Sequence, residues 1–255
     1  MLKTRVIPCL LLRNRGLVKT IKFKKISYVG DPINTVRIFN EKEVDELIFL
    51  DITATSENKK PPFKLLSEIA SECFMPFTYG GGIRSLEDIK TIFSLGAEKV
   101  AINSYLIKDQ NFIREAAELF GSQSIVVSID VKKNFWGQYE VYSHIDKKCT
   151  KLDPIEFSIQ MEQMGAGEIL LTSVDRDGTM EGYDIELIKK VTNAVNIPVI
   201  ACGGAGKLED FAEAVKVGGA SAVAAGSLVV YQGKNRAVLI NFPVKDELKR
   251  ILDFN

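Results

Sequence analysis

Asp130 closes an apolar, β-branched run, Ile125–Asp130, and Asp51 closes another, Glu46–Asp51. The segment Asp175-Arg176-Asp177-Gly178-Thr179 follows a third. A carboxylate at the finishing end of a strand can serve as general acid or base, or grip a ligand hydroxyl. Asp177-Gly178 also suits a tight turn, so its local reading stays double. Two glycine-rich sets suit anions: Gly80-Gly81-Gly82 with Asn103-Ser104, and Gly203-Gly204 with Gly226-Ser227. Glycine lets backbone N–H groups approach an anion closely, and serine hydroxyls add donors. Two such cradles imply a long ligand carrying phosphates at two separated points. His144 is the only histidine, in a loop after Ile125–Asp130, and reads as a surface residue rather than a catalyst. No nucleophile elbow, Walker loop or zinc spacing is present, so neither a metal nor a cofactor is expected.

The two cradles belong to a repeat. Pro76 through Gly82, followed by Leu86-Glu87-Asp88, returns 122 positions later as Pro198 through Gly204 and Leu208-Glu209-Asp210. Glu46-Leu47-Ile48 before Asp51 and Thr53 returns at the same offset as Glu168-Ile169-Leu170 before Ser173 and Asp175. A fixed period means repeated structural units, here half-chains of about 1–121 and 122–255.

Eight short apolar runs must position these residues: Arg5–Leu11, Glu46–Asp51, Pro76–Tyr79, Lys99–Asn103, Ile125–Asp130, Glu168–Thr172, Pro198–Cys202 and Ala222–Gly226. Helical periodicity lies between or after them at Glu87–Leu95, Asn111–Phe120, Ile155–Met164, Ile185–Val195, Leu208–Val217 and Lys245–Leu252. Strand–helix alternation of this length predicts an α/β fold, a (β/α)₈ TIM barrel with two-fold half-barrel repeat, as a single domain over 1–255. A doubly wound open sheet is the alternative, but it predicts no equal halves. Strand residues alternate between barrel interior and exterior. On that parity Arg5, Glu46, Lys99 and Glu168 face inward at the starting ends, while Asn103 and Thr172 face inward at the finishing ends. Buried charges persist when paired, so the four predict a ring of salt bridges.

Composition excludes other classes. The 255 residues carry 33 basic and 33 acidic side chains, so nothing draws the whole chain to nucleic acid or anionic lipid. Met1-Leu2-Lys3-Thr4-Arg5 leads into a strand-like run without a leader pattern, and no apolar run spans a membrane. Cys9, Cys73, Cys149 and Cys202 show no metal spacing and read as reduced thiols in a cytoplasmic protein.

Longer motifs carry a resemblance. Gly30-Asp31-Pro32, Asp45 through Ala54, Gly80-Gly81-Gly82-Ile83, Ile102-Asn103-Ser104, Gly165 through Ser173, Asp175 through Thr179 and Gly203 through Lys207 resemble the cyclase subunit (HisF) of imidazole glycerol phosphate synthase. The resemblance runs from near the N-terminus to about residue 230. It implies a barrel paired as a heterodimer with a glutamine amidotransferase (HisH-like) subunit. Ammonia released there crosses the barrel to a phosphorylated small-molecule substrate. Arg5, Glu46, Lys99 and Glu168 match the family's ammonia gate. Lys19 matches a lysine that helps the site close and communicate with the partner. Asp130 matches one of two catalytic aspartates, and Leu11 stands where the family has the other. Lys19, Asp51, Gly81, Gly82, Asn103, Ser104, Thr172, Asp177, Gly178, Gly203, Gly204, Gly226 and Ser227 are the expected substrate-binding set.

Further departures are Gly226, read as one residue extra before Ser227, and the tail Ala237 through Pro243. With Leu10-Leu11-Leu12, Gly16 through Thr20 and Asn235 through Asn241, they resemble the glycosyl-amidation-associated (WbuZ-type) branch. That branch implies amidation of a nucleotide-activated N-acetyl sugar to an acetamidino group in surface polysaccharide synthesis. Two other readings stay open: the cyclase of histidine biosynthesis, and a non-catalytic channel or scaffold that activates the amidotransferase.

Overall fold

Eight β-branched runs form a closed parallel barrel in the computed structural model, which describes residues 4–233 and 235–252. Met1–Lys3 and the last three residues of the expected 1–255 span lie outside the described residues. The barrel strands are β1 (Arg5–Arg13), β2 (Leu47–Asp51), β3 (Phe77–Gly80), β4 (Lys99–Ile102), β5 (Ile125–Lys133), β6 (Glu168–Ser173), β7 (Val199–Cys202) and β8 (Ala222–Ala225). Each is hydrogen-bonded to the next, and β8 returns to β1 with Arg5 beside Ala222. The interior is filled by small and aliphatic side chains, among them Ile7, Cys9, Ile48, Ala101, Val126, Leu170, Ile200, Ala222 and Ala224. The expected inward parity therefore holds.

The outward parity packs beneath helices α1 (Pro32–Glu41), α2 (Phe63–Glu72), α3 (Leu86–Ser94), α4 (Asn111–Phe120), α5 (Pro154–Gln163), α6 (Ile185–Thr192), α7 (Leu208–Lys216), the short α8 (Ser227–Val230) and α9 (Lys245–Leu252). Local chemistry sets several helix starts. Asp31 and Asp153 each cap a helix whose first residue is proline, and Ser85 accepts the Asp88 N–H. None of these helices is long and apolar enough to cross a membrane.

Helices α1 and α2 add to those the periodicity picked out. So do two hairpins at the strand-end face. Gly16–Lys19 pairs back on β1 and is followed by Ser27–Gly30, while Tyr139–Ser143 pairs back on β5. All four cysteines are free thiols.

Candidate functional site

A cavity of about 650 Å³ opens at the carboxyl ends of the strands. It is lined by Leu11, Lys19, Asp51, Gly81, Asn103, Ser104, Asp130, Thr172, Asp177, Gly178, Gly203, Gly204, Gly226 and Ser227. Of the expected binding set, only Gly82 is off this wall. A second cavity, of about 910 Å³, is lined by other residues, among them Lys22, Asp175, Arg176 and Asp210, and by none of those just named.

Strand register identifies Leu11 structurally. Leu11 lies beside Leu50, and Asp130 lies beside Thr172. Leu50 and Thr172 are the same position of the repeat, 122 residues apart. Leu11 is therefore the half-barrel equivalent of Asp130, with a buried hydrocarbon in place of a carboxylate.

Asp130 is 5% exposed, so its charge depends on its neighbours. Its Oδ2 accepts a hydrogen bond from Asn103 Nδ2 at 2.7 Å and lies 2.5 Å from His144 Nε2. His144 is thus not the free surface residue expected from its loop position. The hairpin after β5 folds it back onto the carboxylate, where Phe23 and Tyr142 pack against its ring at 5.0 and 5.5 Å. Burial alone would lower the imidazole's pKa, but the charge and hydrogen bond of Asp130 outweigh it and move it above the usual value. Periodicity carried no trace of this contact, because it depends on the return path of a hairpin.

Asp51 and Asp177 have structural partners as well as cavity faces. Asp51 Oδ1 accepts the Thr53 and Ala54 N–H groups and the Thr53 hydroxyl, which shapes the loop after β2. Asp177 Oδ2 accepts the Thr20 hydroxyl at 2.7 Å, which ties the loop after β1 to the loop after β6. Burial raises the Asp177 pKa, only partly opposed by Lys19 and the Thr20 bond.

The cradles repeat in three dimensions. A methyl group added at Gly81 would come 2.6 Å from the Asp51 carbonyl oxygen, and one at Gly203 would come 2.7 Å from that of Ser173. Asp88 accepts the Arg84 N–H, as Asp210 accepts the Gly206 N–H. The offset then changes. Glu98 donates its N–H to Phe77, but Ser221 donates to Val199, a spacing of 123 rather than 122. The additional residue of the second half therefore enters before β8, at the Gly218-Gly219 turn where the first half has only Gly96.

Gly226 is consequently the equivalent of Asn103, and Ser227 of Ser104. Asn103 uses its side chain on Asp130; at Gly226 a methyl group would lie only 1.9 Å from Lys19 Nζ. The buried ammonium fills the space that glycine leaves. The Ser227 hydroxyl is buried without a hydrogen-bond partner among the described residues, a donor that an oxyanion at this cradle would satisfy.

The opposite end of the barrel holds the four charges. Arg5 reaches Glu46 at 2.5 Å and Glu168 at 2.7 Å, and Lys99 reaches Glu168 at 3.0 Å and Glu46 at 3.5 Å. Thr78 donates to Glu46. Burial opposes the Arg5 charge, but the two glutamates more than compensate and raise its pKa.

A family model described as histidine biosynthesis protein matches residues 5–236. A Pseudomonas aeruginosa protein, "Putative imidazole glycerol phosphate synthase subunit hisF2", is 54% identical over 97% of this chain and 99% of its own. The chain belongs to the HisF family. A second HisF relative from Leptospira interrogans, also provisionally named, is 48% identical over 97% of this chain and 98% of its own. Alkaliphilus metalliredigens imidazole glycerol phosphate synthase subunit HisF is 46% identical over 91% and 92%. Within this HisF-family barrel the residues expected from sequence separate into two ends, the charged ring and the cavity. His144 is the cavity residue that sequence reasoning placed elsewhere.

Proposed function

We propose that this HisF-family chain is the ammonia-using subunit of a heterodimer with a glutamine amidotransferase, and that it amidates a nucleotide-activated N-acetyl sugar in surface polysaccharide synthesis. The observation that carries the amidation reading is Leu11 at the register position of Asp130. Ring closure with cleavage draws on two carboxylates that move protons, and leucine can move none. Amidation needs less. Ammonia nitrogen bonds to an amide carbon whose oxygen has already been activated as a leaving group, that C–O bond breaks, and Asp130 takes the surplus proton.

The rest of the chain supports an ammonia route. The partner docks at the ring end, and Arg5, Glu46, Lys99 and Glu168 gate entry. Beyond them the aliphatic interior suits neutral ammonia and opposes ammonium, whose desolvation costs several kcal/mol or more. Gly81, Gly82, Asn103 and Ser104 hold one phosphate; Gly203, Gly204, Gly226 and Ser227, with Lys19, hold the other. Asp51, Thr172, Asp177 and Gly178 position the substrate between them.

The likeness to the Alkaliphilus subunit favours a second reading, the cyclase of histidine biosynthesis. Purified protein given an ammonium salt at high pH with the histidine-pathway ribonucleotide separates the two. The expected outcome is negligible turnover; robust turnover overturns amidation. Leu11→Asp is then expected to raise cyclase activity about tenfold or more if that carboxylate was all the site lacked. A scaffold role predicts that Asp130→Asn leaves the reconstituted pair fully active, whereas a proton-carrying Asp130 predicts its loss.

A further inference from the structure

We propose that His144 is the working partner of Asp130, a positioning residue that orients the carboxylate and supplies the second titrating group which Leu11 cannot. The inference rests on reading Asp130 as the proton carrier.

Its geometry is built from three elements. Val131 pairs with Val141 across the hairpin, and extending that register brings Tyr142 level with Asp130. His144 follows just beyond, where the chain turns back over the cavity. Phe23, from the loop after β1, packs on the imidazole at 5.0 Å with the rings 31° apart, and Tyr142 meets it edge-on at 90°. An imidazole held by two rings loses little further freedom in bonding, so its Nε2 is preorganised for the carboxylate.

The bond also decides which carboxylate oxygen faces a ligand. His144 and Asn103 both engage Oδ2, and no hydrogen bond to Oδ1 is found among the described residues, which leaves that oxygen to the substrate. A carboxylate pinned through one oxygen presents the other in a fixed direction, the requirement for efficient proton transfer. The phenol of Tyr142 is the next titratable group beside the ring, and its pKa is raised by burial and by the charges of Cys149 and Asp130. Lys24 and Lys147 line the same cavity, as does Asp177, whose raised pKa includes a small contribution from the charge of Asp130. Asp130 is the group that bonds the imidazole.

Because the chain has one histidine, histidine-selective NMR titration of the intact protein reads this pair without assignment. The imidazole is expected to titrate above the ordinary value near 6.5, and Asp130→Asn is expected to shift its midpoint down, since burial is then unopposed. A midpoint that ignores Asp130→Asn overturns the inference, whatever the substrate. His144→Gln keeps a hydrogen-bond donor but cannot carry charge. At fixed free ammonia it is expected to lower kcat about tenfold or more with little change in KM, and to remove the pH limb that coincides with the measured imidazole midpoint. Wild-type kcat and an unchanged pH profile in His144→Gln also overturn it. A titration coupled to Asp130, with no turnover of an activated N-acetyl sugar nucleotide, leaves the pair standing and removes only the amidation.

Discussion

At the scale of single residues, Leu11 and Asp130 occupy one structural position and differ completely in chemistry. What Asp130 lacks across the barrel it finds along the chain, in His144. The pairing has a thermodynamic signature. The folded imidazole has a pKa above its unfolded value, so its stabilisation is fully present below about pH 6.5 and is lost as pH rises through the folded midpoint. Urea unfolding followed from pH 6 to pH 8.5 is expected to show a loss of stability in wild type that His144→Gln lacks. Equal slopes in the two proteins would remove the ion pair from the folded state's energetics. Leu11 was visible as a departure in the sequence because the family that the chain resembles has an aspartate at that position, and strand parity turns the position inward. The His144 contact was not, because a loop's composition says nothing of where it returns.

At the scale of elements, the loop after β1 is docked on the loop after β6 by contacts that admit no side chain at Gly178. Gly178 has φ +69°, and a methyl group there would sit 2.0 Å from the Thr20 carbonyl oxygen. Thr20 bonds Asp177, and the Lys22 N–H donates to the Asp177 carbonyl. Gly178→Ala is expected to release this loop, with a loss of about 1–3 kcal/mol of stability and faster hydrogen exchange at the Lys22 amide. Unchanged protection at Lys22 would show that the docking does not depend on glycine. The same element scale explains what periodicity recovered. Asn111–Phe120 and Lys245–Leu252 were legible to the residue because their apolar faces recur at helical spacing. Helix α2 starts at Phe63 behind Pro61-Pro62 without a side-chain cap, so its beginning carries no such mark.

At the scale of the whole molecule, the four-charge ring joins β1, β4 and β6 with Glu46 at the entry to β2, segments far apart in the chain. Glu168→Ala leaves Arg5 and Lys99 to share Glu46. Urea unfolding is expected to show a loss of about 2–3 kcal/mol, below the penalty of a fully dry pair because the Arg5 side chain is 27% exposed. A loss within experimental error would mean that water already solvates the ring.

The strand parity, the half-chain repeat and the separation of a charged end from a glycine-rich end were determined by sequence alone. They follow from alternation along a strand and from a period along the chain, both local properties. The tertiary structure decided that Gly226 matches Asn103, that Lys19 fills the space beside it, and that His144 bonds Asp130. Each of these is a contact between segments whose approach is set by barrel closure and loop return, which no spacing in the chain encodes.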